Sequence, residues 1–235
     1  MRGALQRRRI EPELLDTLPA EDPRARASRR DLAWINALML QSWIMARLLR
    51  RHVSRPPRRI LELGSGDGSF MLAVARRMGG AWRGVELVMI DQAELVTEAR
   101  CADFAALGWR ATPVVDDIFA WIARPATQPF DLICANLVLH HFQDQALTDL
   151  FASARALGGV FVATEPRRSA VSLAGCSMLR LIGVNDVTRH DAAASVRAGF
   201  ACNELQTLWP KGDRMRFEEH LAGLFTHAFA AEPIS

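Results

Sequence analysis

The sequence predicts an α/β protein: a doubly wound, seven-stranded sheet, mostly parallel with an antiparallel last strand, behind an N-terminal helical extension. Two observations carry this. From Arg59 onward, short apolar runs alternate with segments of helical periodicity, the pattern of a parallel sheet with crossover helices. Three of those helical segments end on glycine, at Gly79-Gly80, Gly108 and Gly158, where the chain can turn left-handed and return to the sheet. A boundary near residue 54 separates an arm with a lid-like helix, 1–54, from the sheet domain, 55–235.

Taken in order, the first thirty residues carry Pro12, Pro19 and Pro23 among charges and read as an irregular arm. Ser28, with Asp31 three residues on, resembles a helix start, and the helix should run to about Arg51. Leu32, Ile35, Met39, Trp43 and Ala46 fall on one face, and Trp34, Leu38, Met45 and Leu49 on an adjacent one. Such a helix either packs flat on the domain or acts as a lid whose second face lines a pocket. In the lid reading Trp34 and Trp43 form an aromatic wall and Met39 and Met45 an adaptable surface, whereas Trp82, Trp109, Trp121 and Trp209 are structural. Strands follow over 59–63, 84–90, 111–115, 130–137 and 159–163, with helices over 70–78, 93–107, 118–123 and 144–157 between them. Two further helices are expected over 172–182 and 191–198. The last strands are placed at 201–209 and 224–230, separated by a loop or short helix.

Half of the residues are hydrophobic, enough for a sizeable core. Cys101, Cys134, Cys176 and Cys202 have no paired spacing, so neither a disulfide framework nor a metal site is expected, and a reducing cytoplasm is the expected location. The start is too rich in arginine for a signal peptide, and no apolar run reaches membrane-spanning length. The absence of tyrosine excludes a Tyr-x-x-x-Lys dehydrogenase pair. The single lysine, Lys211, lies between Pro210 and Gly212, which excludes a Walker-type phosphate loop.

The stretch Glu62-Leu63-Gly64-Ser65-Gly66-Asp67-Gly68 sits where the first strand should turn into a helix, the place where such sheets bind ligands. Its glycines let backbone approach a ligand and turn amide groups toward it. A dinucleotide fingerprint would place its third glycine one residue later, where Ser69 stands. The carboxylate of Glu62 would repel a pyrophosphate and suits an ammonium or sulfonium group. This stretch resembles the first motif of the class I S-adenosylmethionine-dependent methyltransferases, an acid, one apolar residue, then Gly-x-Gly-x-Gly. Asp91 ends the expected second strand, where a carboxylate can accept ribose hydroxyls. Asp117 follows the third, where the resemblance implies an acid near the adenine amino group; Asp116 competes for that role, and either could cap the next helix. "FDLICANLVLHHF" is similar to the family's later motif. The resemblance thus implies S-adenosylmethionine held by Glu62, Gly64, Ser65, Gly66, Gly68, Asp91, Asp117, Ile118 and Asn136. "EPELLDTLPAEDPRARASRRDLAWIN" and "GVNDVTRHDAAASVRAGF" further resemble a bacterial subgroup encoded beside type III polyketide synthases, which implies a phenolic or lipidic polyketide acceptor.

Methyl transfer from a sulfonium is an in-line displacement in which the protein positions the acceptor and excludes water. An oxygen acceptor also loses a proton, which a histidine or carboxylate can take. His140 and His141, after the fourth strand, and Glu165, at the end of the fifth, are the candidates on the acceptor side. His190 could reach the pocket, but "TRHD" reads better as a helix start capped by Asp191. Arg167 and Arg168 read as solvated. The expected partner is a small apolar or aromatic acceptor, with peripheral membrane contact through the arginine-rich arm as a compatible extension and the oligomeric state open. The alternatives are a non-catalytic cofactor-binding module and a nucleic-acid methyltransferase. The latter is disfavoured by Asn136-Leu137-Val138-Leu139, where amino-methylating enzymes carry Asp/Asn-Pro-Pro-aromatic, and by the lack of a Pro-Cys pair.

Overall fold

The structure, a computed structural model, describes residues 5–19, 21–124, 128–212 and 214–234. Its N-terminal part comprises α1 (Leu14–Thr17), α2 (Pro23–Leu38) and α3 (Gln41–His52). Then follow β1 (Arg59–Leu63), α4 (Ser69–Met78), β2 (Glu86–Asp91), α5 (Glu98–Ala106), β3 (Arg110–Val115), α6 (Ile118–Ile122) and β4 (Leu132–Asn136). The chain ends with α7 (Asp144–Leu157), β5 (Val160–Pro166), α8 (Ala170–Met178), α9 (Asp186–Ala198), α10 (Glu204–Leu208), β6 (Met215–Ala222) and β7 (Thr226–Pro233).

The strands form one seven-stranded sheet in the order β3-β2-β1-β4-β5-β7-β6. β1 to β5 run parallel, and β7 runs antiparallel to both of its neighbours, as expected. Side chains alternate across the sheet. Ile60 joins a core layer with Leu48, Met71, Phe104 and Trp109, whereas Leu61 and Leu63 join the opposite layer with Leu147, Phe151, Phe229 and Trp209. The chain winds outward from β1 to β3 and then returns to place β4 beside β1. That reversal opens a crevice at the carboxyl ends of β1 and β4.

Three expectations need correction. The helix expected over 28–51 is two helices, bent by 54° at Met39-Leu40, with Leu40 in left-handed backbone (φ 56°). Its apolar sector was continuous in sequence, but α3 packs on α4 and β5 while α2 packs on α9, so tertiary contacts override the periodicity. The start of α2 lies at Asp22-Pro23, where the Asp22 carboxylate accepts from the N–H of Arg24. Ser28 is instead buried within the helix and accepts from the Thr188 hydroxyl (2.8 Å).

The segment expected as a strand over 201–209 contains α10. Its apolar Leu205, Leu208 and Trp209 follow the helical i, i+3, i+4 spacing. The carboxylate of Glu219 in β6 accepts from the N–H groups of Leu205 and Gln206, fixing the start of that helix (3.1 and 2.8 Å). β6 occupies the stretch read as a loop. Finally, α9 starts at Asn185, whose side chain accepts from Thr188, so Asp191 is not its cap. Asp191 accepts instead from the N–H groups of Leu14 and Leu15 (2.8 and 2.9 Å), capping α1 across the fold. The arm is therefore an ordered strap over α9 along its described residues.

Candidate active site

A cavity of about 1210 Å³ opens over the carboxyl ends of β1, β2 and β4. One end is walled by Glu62, Gly64, Ser65, Gly66, Asp91, Asp117, Ile118 and Asn136. Gly64 lies so close to the loop after β4 that a Cβ there would stand 2.6 Å from Val138 Cγ2, so only glycine fits. Gly68 begins α4 in left-handed backbone (φ 74°) but does not join the cavity wall.

Asp91 ties two loops together, its carboxylate accepting from the N–H of Gly66 (2.8 Å) and of Ala93 (3.0 Å). Asp117 caps α6 by accepting from Ala120 N–H (2.9 Å), and also accepts from Gln92 Nε2 (3.0 Å). Asp117 lines the cavity; Asp116 pairs with Arg124 (2.7 Å) and does not. The amide oxygen of Asn136 accepts from the Thr164 hydroxyl (2.8 Å), which fixes its side chain at the cavity wall. Glu62 is buried, with Oε2 lacking a hydrogen-bond partner, and Ser65 Oγ is likewise unpaired. Burial, reinforced by the charges of Asp91 and Asp67, raises the Glu62 carboxyl well above its ordinary range. An orphaned buried carboxyl beside a glycine backbone cradle is the environment that a cationic ligand would satisfy.

At the other end the loop after β4 begins with Leu137 in left-handed backbone (φ 55°), a strained turn held from behind by Glu165. That fully buried carboxylate accepts from the N–H of Val138 (3.0 Å), Leu139 (2.9 Å) and His140 (3.3 Å), and lies 2.7 Å from His140 Nδ1. Glu165 does not join the cavity wall. The expectation of a rim acid meeting the acceptor is thereby corrected: its hydrogen-bonding capacity is used by the loop. On the arm side, Glu13 Oε1 stands 3.5 Å from His140 Nε2 and accepts from the Ser195 hydroxyl. Asp16 Oδ2 lies 3.7 Å from His141 Nδ1. Arg8 binds the same loop from outside, donating to the carbonyl oxygens of His140 (3.2 Å) and Phe142 (2.9 Å) and to Asp144 (2.7 Å).

The two histidines therefore differ. Burial opposes charge on His140, but Glu13 and Glu165 outweigh it and push this group up to about 9. His141 is lowered, by burial and then by the neighbouring charge of His140. At neutral pH His140 holds a proton and His141 does not. Both line the cavity, with ring centroids 4.3 Å apart. Glu13, His140 and His141 also bring donor atoms within 4.8 Å of one another, a grouping for which the sequence held no metal signal.

Of the proposed lid residues, Trp34, Leu38 and Met39 line the cavity; Trp43 is exposed beside Arg47, and Met45 is in the core. His190 is half-exposed, bonded to Asp191 (2.9 Å), and away from the cavity. Arg168, expected to be solvated, is buried and paired with Glu204 (2.5 Å), because α10 brings that carboxylate to it. The sequence does not mark Glu13, Asp16 or Ser195 as site residues. Nothing in the sequence places the arm beside the histidines, although the cavity wall makes them neighbours.

Residues 60–157 match the family described as Methyltransferase domain. The chain is an S-adenosylmethionine-dependent methyltransferase, and this stretch is the part that matches. The methyltransferase is similar in fold to plantazolicin methyltransferase BpumL, solved with a triazolic desmethylPZN analog and SAH, at 13% identity over 91% of this chain and 92% of that one (TM-score 0.64). It is also similar to the pyocyanin biosynthetic protein PhzM, at 20% identity over 95% of this chain and 62% of that one (TM-score 0.62). A third likeness is to an O-methyltransferase family protein from Burkholderia thailandensis, at 16% identity over 99% and 67% (TM-score 0.58). At such identities the likeness is one of fold. No curated protein sequence is significantly similar to the chain.

Proposed function

We propose that this methyltransferase transfers a methyl group to an oxygen of a small apolar or aromatic acceptor, such as a phenolic or lipidic polyketide-like metabolite. One observation carries the reading: the cavity with the glycine loop and strand-end acids at one end has the histidine pair and apolar side chains, including Leu15, Ile35, Met39 and Phe142, at the other. Its volume of about 1210 Å³ exceeds that of ordinary single-ligand pockets and accommodates a cofactor together with an acceptor. The names of BpumL and of the Burkholderia protein support methyl transfer to small molecules and to oxygen.

Glu62, Gly64, Ser65, Gly66, Asp91, Asp117, Ile118 and Asn136 would hold S-adenosylmethionine, with Gly68 turning the loop into α4 behind them. When bound, that cofactor supplies a methyl group already activated as a sulfonium. The chain's own residues then have three tasks. The apolar wall excludes water and orients the acceptor ring. His141, neutral at physiological pH, takes the hydroxyl proton. His140, kept cationic by Glu13 and Glu165, stabilises the oxyanion that forms beside it. Glu165 acts as a positioning residue for this loop.

Transfer of labelled methyl from S-adenosylmethionine to a panel of alkyl phenols, alkyl amines and thiols tests the reading. Label on the phenol oxygen is expected; label only on nitrogen or sulfur would overturn the choice of oxygen.

A further inference from the structure

We propose that the mouth of this cavity docks on an anionic lipid surface and draws its acceptor from the lipid phase. The acceptor half of this inference rests on the methyl-transfer reading, whereas the docking half does not. Trp34 and Leu38 of α2, and Met178 and Leu181 at and beyond the end of α8, all line the cavity. They nevertheless remain 49%, 65%, 63% and 78% exposed. Large apolar side chains that are both cavity wall and open surface define an apolar rim, and an apolar rim of this kind marks an interaction face.

The rim continues beyond the mouth. Exposed Leu40 adjoins Gln41, whose Nε2 donates to the Thr226 hydroxyl (3.0 Å), and exposed Leu224 adjoins Phe225, whose ring packs on Gly175 of α8. The α2–α3 bend and the β6–β7 turn thus lie together near α8, each carrying an exposed leucine.

Charge identifies the occupant. Segments 23–52 and 170–182 carry eight arginines (24, 26, 29, 30, 47, 50, 51 and 180) and one acid, Asp31. Arg24 is paired with Asp186 (3.2 Å) and Arg51 with Glu218 (2.6 Å), and Arg50 donates to the Arg77 carbonyl, whereas Arg26, Arg30, Arg47 and Arg180 are exposed. Asp31 faces inward, accepting from the N–H of Asn185 (2.9 Å). Arg30, Trp34 and Leu38 follow one another at i, i+4 and i+8 along α2, all exposed, so a cationic group and apolar groups share one stripe. A second copy of this face would set arginine against arginine, whereas anionic headgroups over acyl chains match both the charge and the apolar rim. No single helix among the described residues is long and apolar enough to cross a membrane; α2 and α3 reach that length only together, are bent by 54°, and α3 is largely buried against α4 and β5, so the contact proposed is peripheral.

Flotation of the full chain with vesicles of phosphatidylcholine alone, or containing one quarter phosphatidylglycerol, tests the docking. The expected result is co-flotation with the anionic vesicles, weakened by salt. The double variant L38E/L181E should lose about tenfold or more in vesicle affinity while melting like the parent. R26E/R30E should lose affinity for the anionic vesicles and retain methylation of a short, water-soluble acceptor. A cooperatively melting chain that floats with neither vesicle, or equal flotation of parent and L38E/L181E, would overturn the proposal. So would a dimer in light scattering that L38E/L181E converts to a monomer, because a second copy would then cover the face. A cofactor titration of the same preparation separates the two claims: cofactor binding without flotation rejects the docking alone, and flotation without cofactor binding rejects the methyl-transfer reading alone.

Discussion

Replacing Glu165 by alanine removes the acceptor of three backbone N–H groups and the partner of the His140 ring in a place with no solvent access. At about 1 kcal/mol net per hydrogen bond, four lost contacts amount to about 4 kcal/mol. That agrees with the loss of about 3–5 kcal/mol when one partner of a buried ion pair is deleted. For a chain of 235 residues this corresponds to a fall in melting temperature of about 10 °C. E165Q keeps one carbonyl oxygen for the loop and should lose about half as much.

Urea unfolding followed by tryptophan fluorescence measures both variants. The pH dependence has a definite sign. His140 is raised from 6.5 to about 9, so the stabilisation from this pair is complete below pH 6.5 and disappears as pH rises through about 9. The gap between wild type and E165A should therefore narrow above pH 8. A loss of less than about 1 kcal/mol at pH 7, or a gap that widens with alkalinity, would refute the assignment of Glu165 as the anchor of this loop.

Alanine at Asp91 deletes the carboxylate that binds the Gly66 and Ala93 amides and should weaken S-adenosylmethionine binding about tenfold or more by calorimetry; unchanged affinity would remove Asp91 from the site. Glu62, raised by burial in the free protein, should ionise when a cationic ligand arrives, so binding releases a proton and tightens with rising pH. Titrations in buffers of different ionisation heat detect that proton, E62Q should abolish it, and proton uptake by the wild type would contradict the role. The pH–rate profile of phenol methylation should be bell-shaped. Its acidic limb lies below 6.5, from His141, and its alkaline limb near 9, from His140. H141A should lower kcat by about a hundredfold or more without weakening cofactor binding, and an H141A enzyme of undiminished kcat would exclude His141 as the base.

How much of this was legible in the sequence depended on whether the determinant was local. The strand–glycine–helix unit around Gly64 is local, as are the acids ending β2 and following β3, and their positions in the fold followed directly from the sequence pattern. α10 is not legible in the sequence because its five residues offer little periodicity, and the partner that fixes its start, Glu219, comes fourteen residues after Leu205. The bend at Leu40 has no proline or glycine to announce it and exists because α2 and α3 pack on different elements.

The acceptor end was least legible. Glu165 and the histidines were named, but which side chain faces the cavity is decided by the three amides that claim the carboxylate. Glu13 lies 127 residues before His140 in sequence and meets it only because Asp191 and Arg8 hold the arm across α9 and the loop. Those contacts depend on tertiary placement, which no short-range pattern encodes.

The central claim is that the loop after β1 and the acids after β2 and β3 bind a sulfonium methyl donor. Calorimetric titration of the folded full chain with S-adenosylmethionine and S-adenosylhomocysteine, with NAD as control, tests it most directly. The account predicts binding of both sulfur ligands and none of NAD. Silence with both sulfur ligands, or binding of NAD in their place, would contradict it.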